Sequence, residues 1–223
     1  EILIGLVGSE MCIRDRLRYC SVKEKLFDRM CTDKSMDILP ECSSVSRREM
    51  MTKKEILDAI HGKMIISCQA VEGEPLYVEE KSIMYLMARA AKQAGTPAIR
   101  TSSIRDVIAI KEETGLPVIG LVKIQYPGYE GYITPTMKEV DDLVAAGSDV
   151  VALDCTLRKR GDGSTVNEFI AQIKEKYPDI ILMADISNYE EGINAWKCGV
   201  DIVGTTMSGY TDYTSKKDEP DYE

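Results

Sequence analysis

The chain of 223 residues contains a single histidine, His61. That scarcity excludes a multi-histidine metal site, and any Ser/His or Cys/His catalysis not built on His61. No uninterrupted apolar stretch approaches the roughly 18 residues that a membrane-spanning helix needs. No Gly-x-Gly-x-x-Gly follows the first candidate strand, where a dinucleotide-binding fold would carry it. Positive charge is in deficit: 28 Lys and Arg stand against 37 Asp and Glu, giving a net charge of −9 and a pI near 4.9. That balance argues against a nucleic-acid partner. The 44% hydrophobic and 29% charged contents are ordinary globular values, so disorder throughout is not expected.

Cysteine spacing excludes another class. None of the seven cysteines forms a Cys-x-x-Cys pair. Cys12, Cys20, Cys31 and Cys42 fall in the first fifty residues, and Cys68, Cys155 and Cys198 in the remainder. The last three read as small buried hydrophobes in a reducing compartment. The first fifty residues read apart from the rest. Leu6 to Arg16, LVGSEMCIRDR, resembles the in-frame translation of a transposase adapter used in sequencing libraries. Residues 17–49 show no hydrophobic periodicity. Residues 1–50 are therefore predicted to be a non-native or read-through leader, disordered, and Met50 or Met51 to begin a folded domain over 51–223.

What is present begins at Lys63. Short apolar runs occupy Lys63–Ala70, Pro97–Thr101, Pro117–Lys123, Asp149–Asp154, Asp179–Asp185 and Val200–Thr206. Continuous Val/Ile/Leu runs suit strands buried on both faces, as in parallel sheets. Between them lie amphipathic helical patterns at Ser82–Gly95, Ile104–Gly115, Thr136–Gly147, Val166–Tyr177 and Tyr189–Gly199, most closed by glycine. The alternation predicts an α/β fold with a parallel sheet. Six strands fit a doubly wound sheet or most of an eightfold barrel. A polar residue ends nearly every strand: Gln69, Arg100, Lys123, Asp154, Asp185 and Thr205-Thr206. In a barrel all strand C-termini meet on one rim, where the active site lies. Such residues would converge on one pocket.

By residue type, a rim lysine forms a Schiff base with a carbonyl substrate or acts as a general base with a lowered pKa. Arg100 could hold a carboxylate or phosphate, Asp185 could orient the lysine or take a proton, and Gln69 could hydrogen-bond an amide or hydroxyl. Asp154 and Asp185 could instead cap the turns that follow them. The run Arg158-Lys159-Arg160 reads as a solvated basic loop, with phosphate steering as the alternative.

Several strings carry a family resemblance: ISCQA at 66–70, AIR at 98–100, GLVK at 120–123, YITPTMKEVD at 132–141, ALDCT at 152–156, MADIS at 183–187 and VGTTMSGYT at 203–211. With them the chain resembles the bacterial N-acetylmannosamine-6-phosphate 2-epimerase family, also called N-acylglucosamine-6-phosphate 2-epimerases, across essentially all of residues 55–215. The resemblance implies a (β/α)8 TIM-type barrel, incomplete here with about six of eight strand–helix units. It implies interconversion of N-acetylmannosamine 6-phosphate and N-acetylglucosamine 6-phosphate in sialic-acid catabolism, in the cytoplasm, with no cofactor and no metal. It makes Lys123 and Asp185 catalytic, and Gln69, Arg100, Asp154, Thr206 and Tyr210 substrate-binding. A phosphorylated amino sugar and a second copy of the chain are the implied partners, with no nucleic acid and no membrane.

The resemblance also implies two further strands beyond Glu223. They would carry an acidic catalytic residue in a Cys-Glu-Gly-Arg-like segment and a glycine-rich phosphate site. Two other readings stay open. One is a different sugar-phosphate barrel, such as a Schiff-base aldolase acting through Lys123. The other is an inactive fragment, because an open six-stranded barrel leaves two strand edges unpaired.

Overall fold

The computed structural model describes residues 51–214. The predicted leader over 1–50, with its four cysteines, lies outside the described residues. Six strands alternate with helices: α1 (Lys53–Ile60), β1 (Ile66–Ser67), α2 (Met84–Gln93), β2 (Ile99–Ser102), α3 (Ile104–Thr114), β3 (Val118–Leu121), α4 (Met137–Ala145), β4 (Val150–Asp154), α5 (Val166–Lys176), β5 (Ile181–Asp185), α6 (Tyr189–Lys197) and β6 (Ile202–Gly204). All adjacent strands pair in parallel, in sequence order from β1 to β6. This is the order of a singly wound barrel, and a doubly wound sheet would have reversed it.

Two apolar clusters cover the two faces of the sheet. Ile99, Val118, Val151, Leu153, Leu182 and Ala184 pack outward against the helices, with Val107, Ile110, Val140, Leu143, Phe169 and Ile170. Ala98, Ile119, Leu121, Val150, Ala152, Ile181, Met183 and Ile202 pack inward. Successive strand residues point to opposite faces, so this parity settles the direction of every polar residue at the strand ends. Arg100, Lys123, Asp154, Asp185 and Thr206 share the inward parity. Gln69 does too, because Cys68 belongs to the outer cluster.

Sequence reasoning did not anticipate α1. Thr52 caps it: Glu55 N donates to Thr52 Oγ1 at 3.3 Å, and Thr52 N donates to Glu55 Oε2 at 2.7 Å. Ile56 and Ile60 join the inner cluster together with Ile65, Ala98, Val150 and Ile181, which lie at or just before the strand starts. The helix thereby plugs the N-terminal mouth and leaves the C-terminal rim for chemistry. His61, which ends α1, is exposed at that plugged end.

The strands are shorter than the apolar runs. β1 has two residues and β6 three. β3 stops at Leu121, so Lys123 stands two residues past it. The helices fall inside their predicted ranges, and Gly115 closes α3 in the left-handed region at φ +65°. Cys68 and Cys155 are free and buried in the outer cluster, as expected of small hydrophobes. Burial pushes the Cys68 thiol up to about 11 and raises the Cys155 thiol well above its ordinary value. No helix among the described residues is long and apolar enough to cross a membrane.

Candidate active site

Arg100 and Asp185 define the centre of the rim. Arg100 Nη2 donates to Asp185 Oδ2 at 2.7 Å, and both side chains are buried to within 1% of full enclosure. Arg100 Nη1 lies 3.1 Å from Met183 Sδ. β2 and β5 are three strand steps apart, about 14 Å across a flat sheet. The pair can close only because the sheet curls around its inner face, as in a barrel.

The pair leaves atoms over. Among the described residues, six buried side-chain oxygen or nitrogen atoms lack a hydrogen-bond partner. Four of them sit at the C-terminal rim: Gln69 Oε1, Arg100 Nε, Asp185 Oδ1 and Thr206 Oγ1. An unmet buried polar group costs about 1–3 kcal/mol, so four in one place mark a site that a polar ligand would satisfy. Gln69 is held by donation from Nε2 to Ser67 Oγ at 2.8 Å, which leaves its carbonyl oxygen available. Gly204 keeps the floor open near Asp185 and Thr206. A Cβ there would come within 2.6 Å of Met183 Cε and 3.8 Å of Asp185 Oδ1.

Lys123 enters from the gap between β3 and β4. These strands pair only over Ile119↔Val150 and Gly120↔Val151, then diverge. The segment 132–134 fills the divergence as a wedge. Lys123 and Ile133 form an antiparallel bridge. Ile124 N donates to Tyr132 O at 2.9 Å, Thr134 N to Val122 O at 2.7 Å, and Asp154 N to Ile133 O at 2.9 Å. Thr134 is fully buried and has φ +46°. A β-branched residue in that region is under strain of about 1–3 kcal/mol. Ile133 packs in the inner cluster, and its bridge partner Lys123 therefore projects to the same side.

Burial lowers the Lys123 ammonium below its ordinary value of 10.5, and the Arg100 guanidinium lowers it further. Glu74 and Asp185 pull the other way. A depressed lysine is what a general base requires, since only the neutral amine accepts a proton.

Asp154 stands differently from Asp185. Its Oδ1 accepts from Thr156 N at 3.0 Å and from Thr156 Oγ1 at 2.5 Å, while Arg158 Nη2 donates to Oδ2 at 2.6 Å. Both oxygens are engaged within the turn after β4, which is the capping arrangement. Burial still raises its carboxyl. Tyr210 is 46% exposed and lies near enough to Tyr132 to act on its phenol. Tyr132 was not singled out from the sequence, although the YITPT string contains it. Its phenol is raised by burial and by the charge of Asp154, with smaller effects from Arg158, Tyr210 and Asp185. It therefore faces the same rim.

The basic run is not a solvated loop. Lys159 is exposed, but Arg158 is tied to Asp154, and Arg160 is only 8% exposed. The Arg160 guanidinium stacks 3.9 Å over the Phe169 ring, lies 5.7 Å from the centroid of Tyr129, and donates to Ser164 Oγ and Pro135 O. Stacking on an aromatic face repays its desolvation, so it packs as structure.

Comparisons with known proteins converge. The family model described as "Putative N-acetylmannosamine-6-phosphate epimerase" matches residues 84–223. A relative from Caldanaerobacter subterraneus subsp. tengcongensis, named "Putative N-acetylmannosamine-6-phosphate 2-epimerase", is 52% identical over 169 residues, covering 76% of this chain and 70% of the relative. A relative of the same name from an Enterobacter species is 46% identical over 168 residues, covering 75% and 71%. Among solved structures, the N-acetylmannosamine-6-phosphate 2-epimerase from Clostridium perfringens superposes with a TM-score of 0.71 at 45% identity, covering 78% of this chain and 74% of that one.

Proposed function

Because the chain belongs to the N-acetylmannosamine-6-phosphate epimerase family, we propose that it inverts carbon 2 of N-acetylmannosamine 6-phosphate to give N-acetylglucosamine 6-phosphate, and the reverse. In the open-chain sugar the carbon-2 proton lies beside an aldehyde and is comparatively acidic. The neutral Lys123 amine takes that proton, and the bonding pair moves into a carbon 1–carbon 2 double bond with the negative charge on oxygen 1. A second proton, relayed through the Asp185 carboxyl, then reaches carbon 2 from the opposite face as the enolate returns to the aldehyde, and the Lys123 ammonium gives its own proton back to solvent.

The rim residues divide the remaining work by their chemistry. Arg100 Nε is an unmet donor and suits the enolate oxygen. Asp185 Oδ1 is an unmet acceptor and suits a sugar hydroxyl, or a proton passed between faces. Gln69 Oε1 suits the acetamido N–H, and Thr206 Oγ1 a hydroxyl. Tyr210 and Asp154 flank the mouth as the outer contacts, Asp154 through the turn it holds with Arg158. The enzyme is cytoplasmic in this reading. It acts as a homodimer on a phosphorylated amino sugar, with no nucleic acid or membrane partner.

The observation that carries the reading is the group of four unmet polar atoms beside a lysine of lowered pKa. Proton NMR of the purified protein with N-acetylmannosamine 6-phosphate tests it by the appearance of N-acetylglucosamine 6-phosphate. Borohydride added with substrate separates it from aldolase chemistry. A stable reduced adduct on Lys123 would replace the epimerase reading with a Schiff-base one.

A further inference from the structure

Thr134 occupies a position that packing alone does not explain. Its hydroxyl has a double duty: Val122 N donates to Oγ1 at 3.2 Å, and Oγ1 donates to Ala152 O at 2.7 Å. Its own N–H donates to Val122 O at 2.7 Å. One buried side chain thus clamps the residue before Lys123 on one side and β4 on the other. Val122 has both its backbone groups taken by Thr134. The clamp is made by a β-branched residue at φ +46°, where glycine or asparagine would meet no comparable strain. Strain of this kind persists only where its surroundings over-determine it, and it concentrates at functional sites. Here it lies beside Lys123, its neighbour across the wedge.

We propose that Thr134 is a positioning residue, whose strained clamp holds the 132–134 wedge between β3 and β4 and so fixes Lys123 in its half-buried, inward orientation. The inference rests on the reading of Lys123 as the base. The wedge replaces the strand pairing that β3 and β4 give up after Gly120 and Val151. Without the hydroxyl, Val122 N and Ala152 O lose their partner, the bridge between Lys123 and Ile133 loosens, and water reaches the amine. The groups facing that amine are Arg100 from β2, Glu74 from the β1–α2 connection and Asp185 from β5. None of them lies on the wedge, so their charges stay in place when Thr134 is changed.

The test reads Lys123 directly and needs no turnover. Lysines of the full protein are reductively methylated with 13C-formaldehyde, and the Lys123 signal is assigned by its loss in Lys123→Arg. Its titration is followed in wild type, Thr134→Val, Thr134→Ser and Thr134→Gly. Thr134→Val removes the hydroxyl and keeps the shape. Thr134→Gly removes the hydroxyl and relieves the strain, so it remains foldable if the valine variant is not. Expected is an upward shift of the Lys123 titration toward 10.5 in Val and Gly, with Ser matching wild type. A merely structural Thr134 would lower the unfolding midpoint and leave the titration unmoved. A folded Val or Gly variant with wild-type titration overturns the proposal, as does a Ser variant that shifts like Val. If turnover is absent while the titration behaves as expected, the functional reading fails and the positioning role stands.

Discussion

Arg100 and Asp185 meet at 2.7 Å across the hollow of the sheet, from strands three apart, with almost no water contact. The geometry fixes both the curvature of the barrel and the charge balance at its rim. It also leaves one acidic oxygen and one guanidinium nitrogen unmet, facing the same space.

Breaking this pair on one side should be costly. Asp185→Leu leaves a buried guanidinium without its counter-charge and is expected to lower stability by about 3–5 kcal/mol. Arg100→Met combined with Asp185→Leu should recover most of that loss, since neither charge is then stranded. Urea unfolding of the two single variants and the double variant measures the coupling. Additive losses would mean that the pair does not interact as described.

Glu74 should tune the base. Its negative charge raises the Lys123 pKa, so Glu74→Gln is expected to lower it further. The neutral fraction of Lys123 grows as pH rises through its pKa. The acid limb of kcat/KM therefore moves to lower pH in the variant, and activity at neutral pH increases. A pH–rate profile checks this, and a limb that moves upward contradicts it.

Stability carries the same signature. Below 10.5 and above the lowered folded value, the unfolded chain holds a proton on Lys123 that the folded chain does not. Stability contributed by this group therefore rises with pH through that window. The difference in unfolding free energy between wild type and Lys123→Met should rise with pH there. A flat difference curve would place Lys123 in ordinary solvent.

Gly120 tests the outer packing separately from the chemistry. A Cβ at this position would meet Ser148 Oγ at 2.2 Å, Leu143 Cδ2 at 2.9 Å and Val107 Cγ2 at 3.1 Å. Gly120→Ala should cost about 1–3 kcal/mol through overpacking. Because Gly120 faces the helices, the pH–rate profile should keep its shape while the melting midpoint drops.

Much of the rim was legible because strands alternate. Gln69, Arg100, Asp185 and Thr206 lie at the ends of apolar runs, and period-two parity sends them all inward. Parity could not show that Arg100 and Asp185 touch, because that contact depends on curvature. The placement of Lys123 was legible only as the end of a run. The wedge that holds it is a pairing between segments ten residues apart, made where a strand stops, and nothing in local pattern announces it. The basic run misled for a related reason: Arg160 is buried by Phe169 and Tyr129, neighbours that only tertiary structure supplies. The α1 plug had a local signal in the Thr52-x-x-Glu55 capping box. Asp154 had one in its spacing to Arg158, which places the two within reach across a single turn.

Solvent exchange tests most directly whether Lys123 moves the carbon-2 proton. N-acetylmannosamine 6-phosphate is incubated in deuterium oxide with the purified protein, and the carbon-2 proton signal is followed by NMR. Wild type should wash deuterium into carbon 2 of both sugars. Lys123→Met, with its fold verified by circular dichroism, should slow that exchange by at least 10²–10⁴-fold, about the contribution of a positioned general base. Exchange at the wild-type rate in the folded Lys123→Met variant would contradict the account.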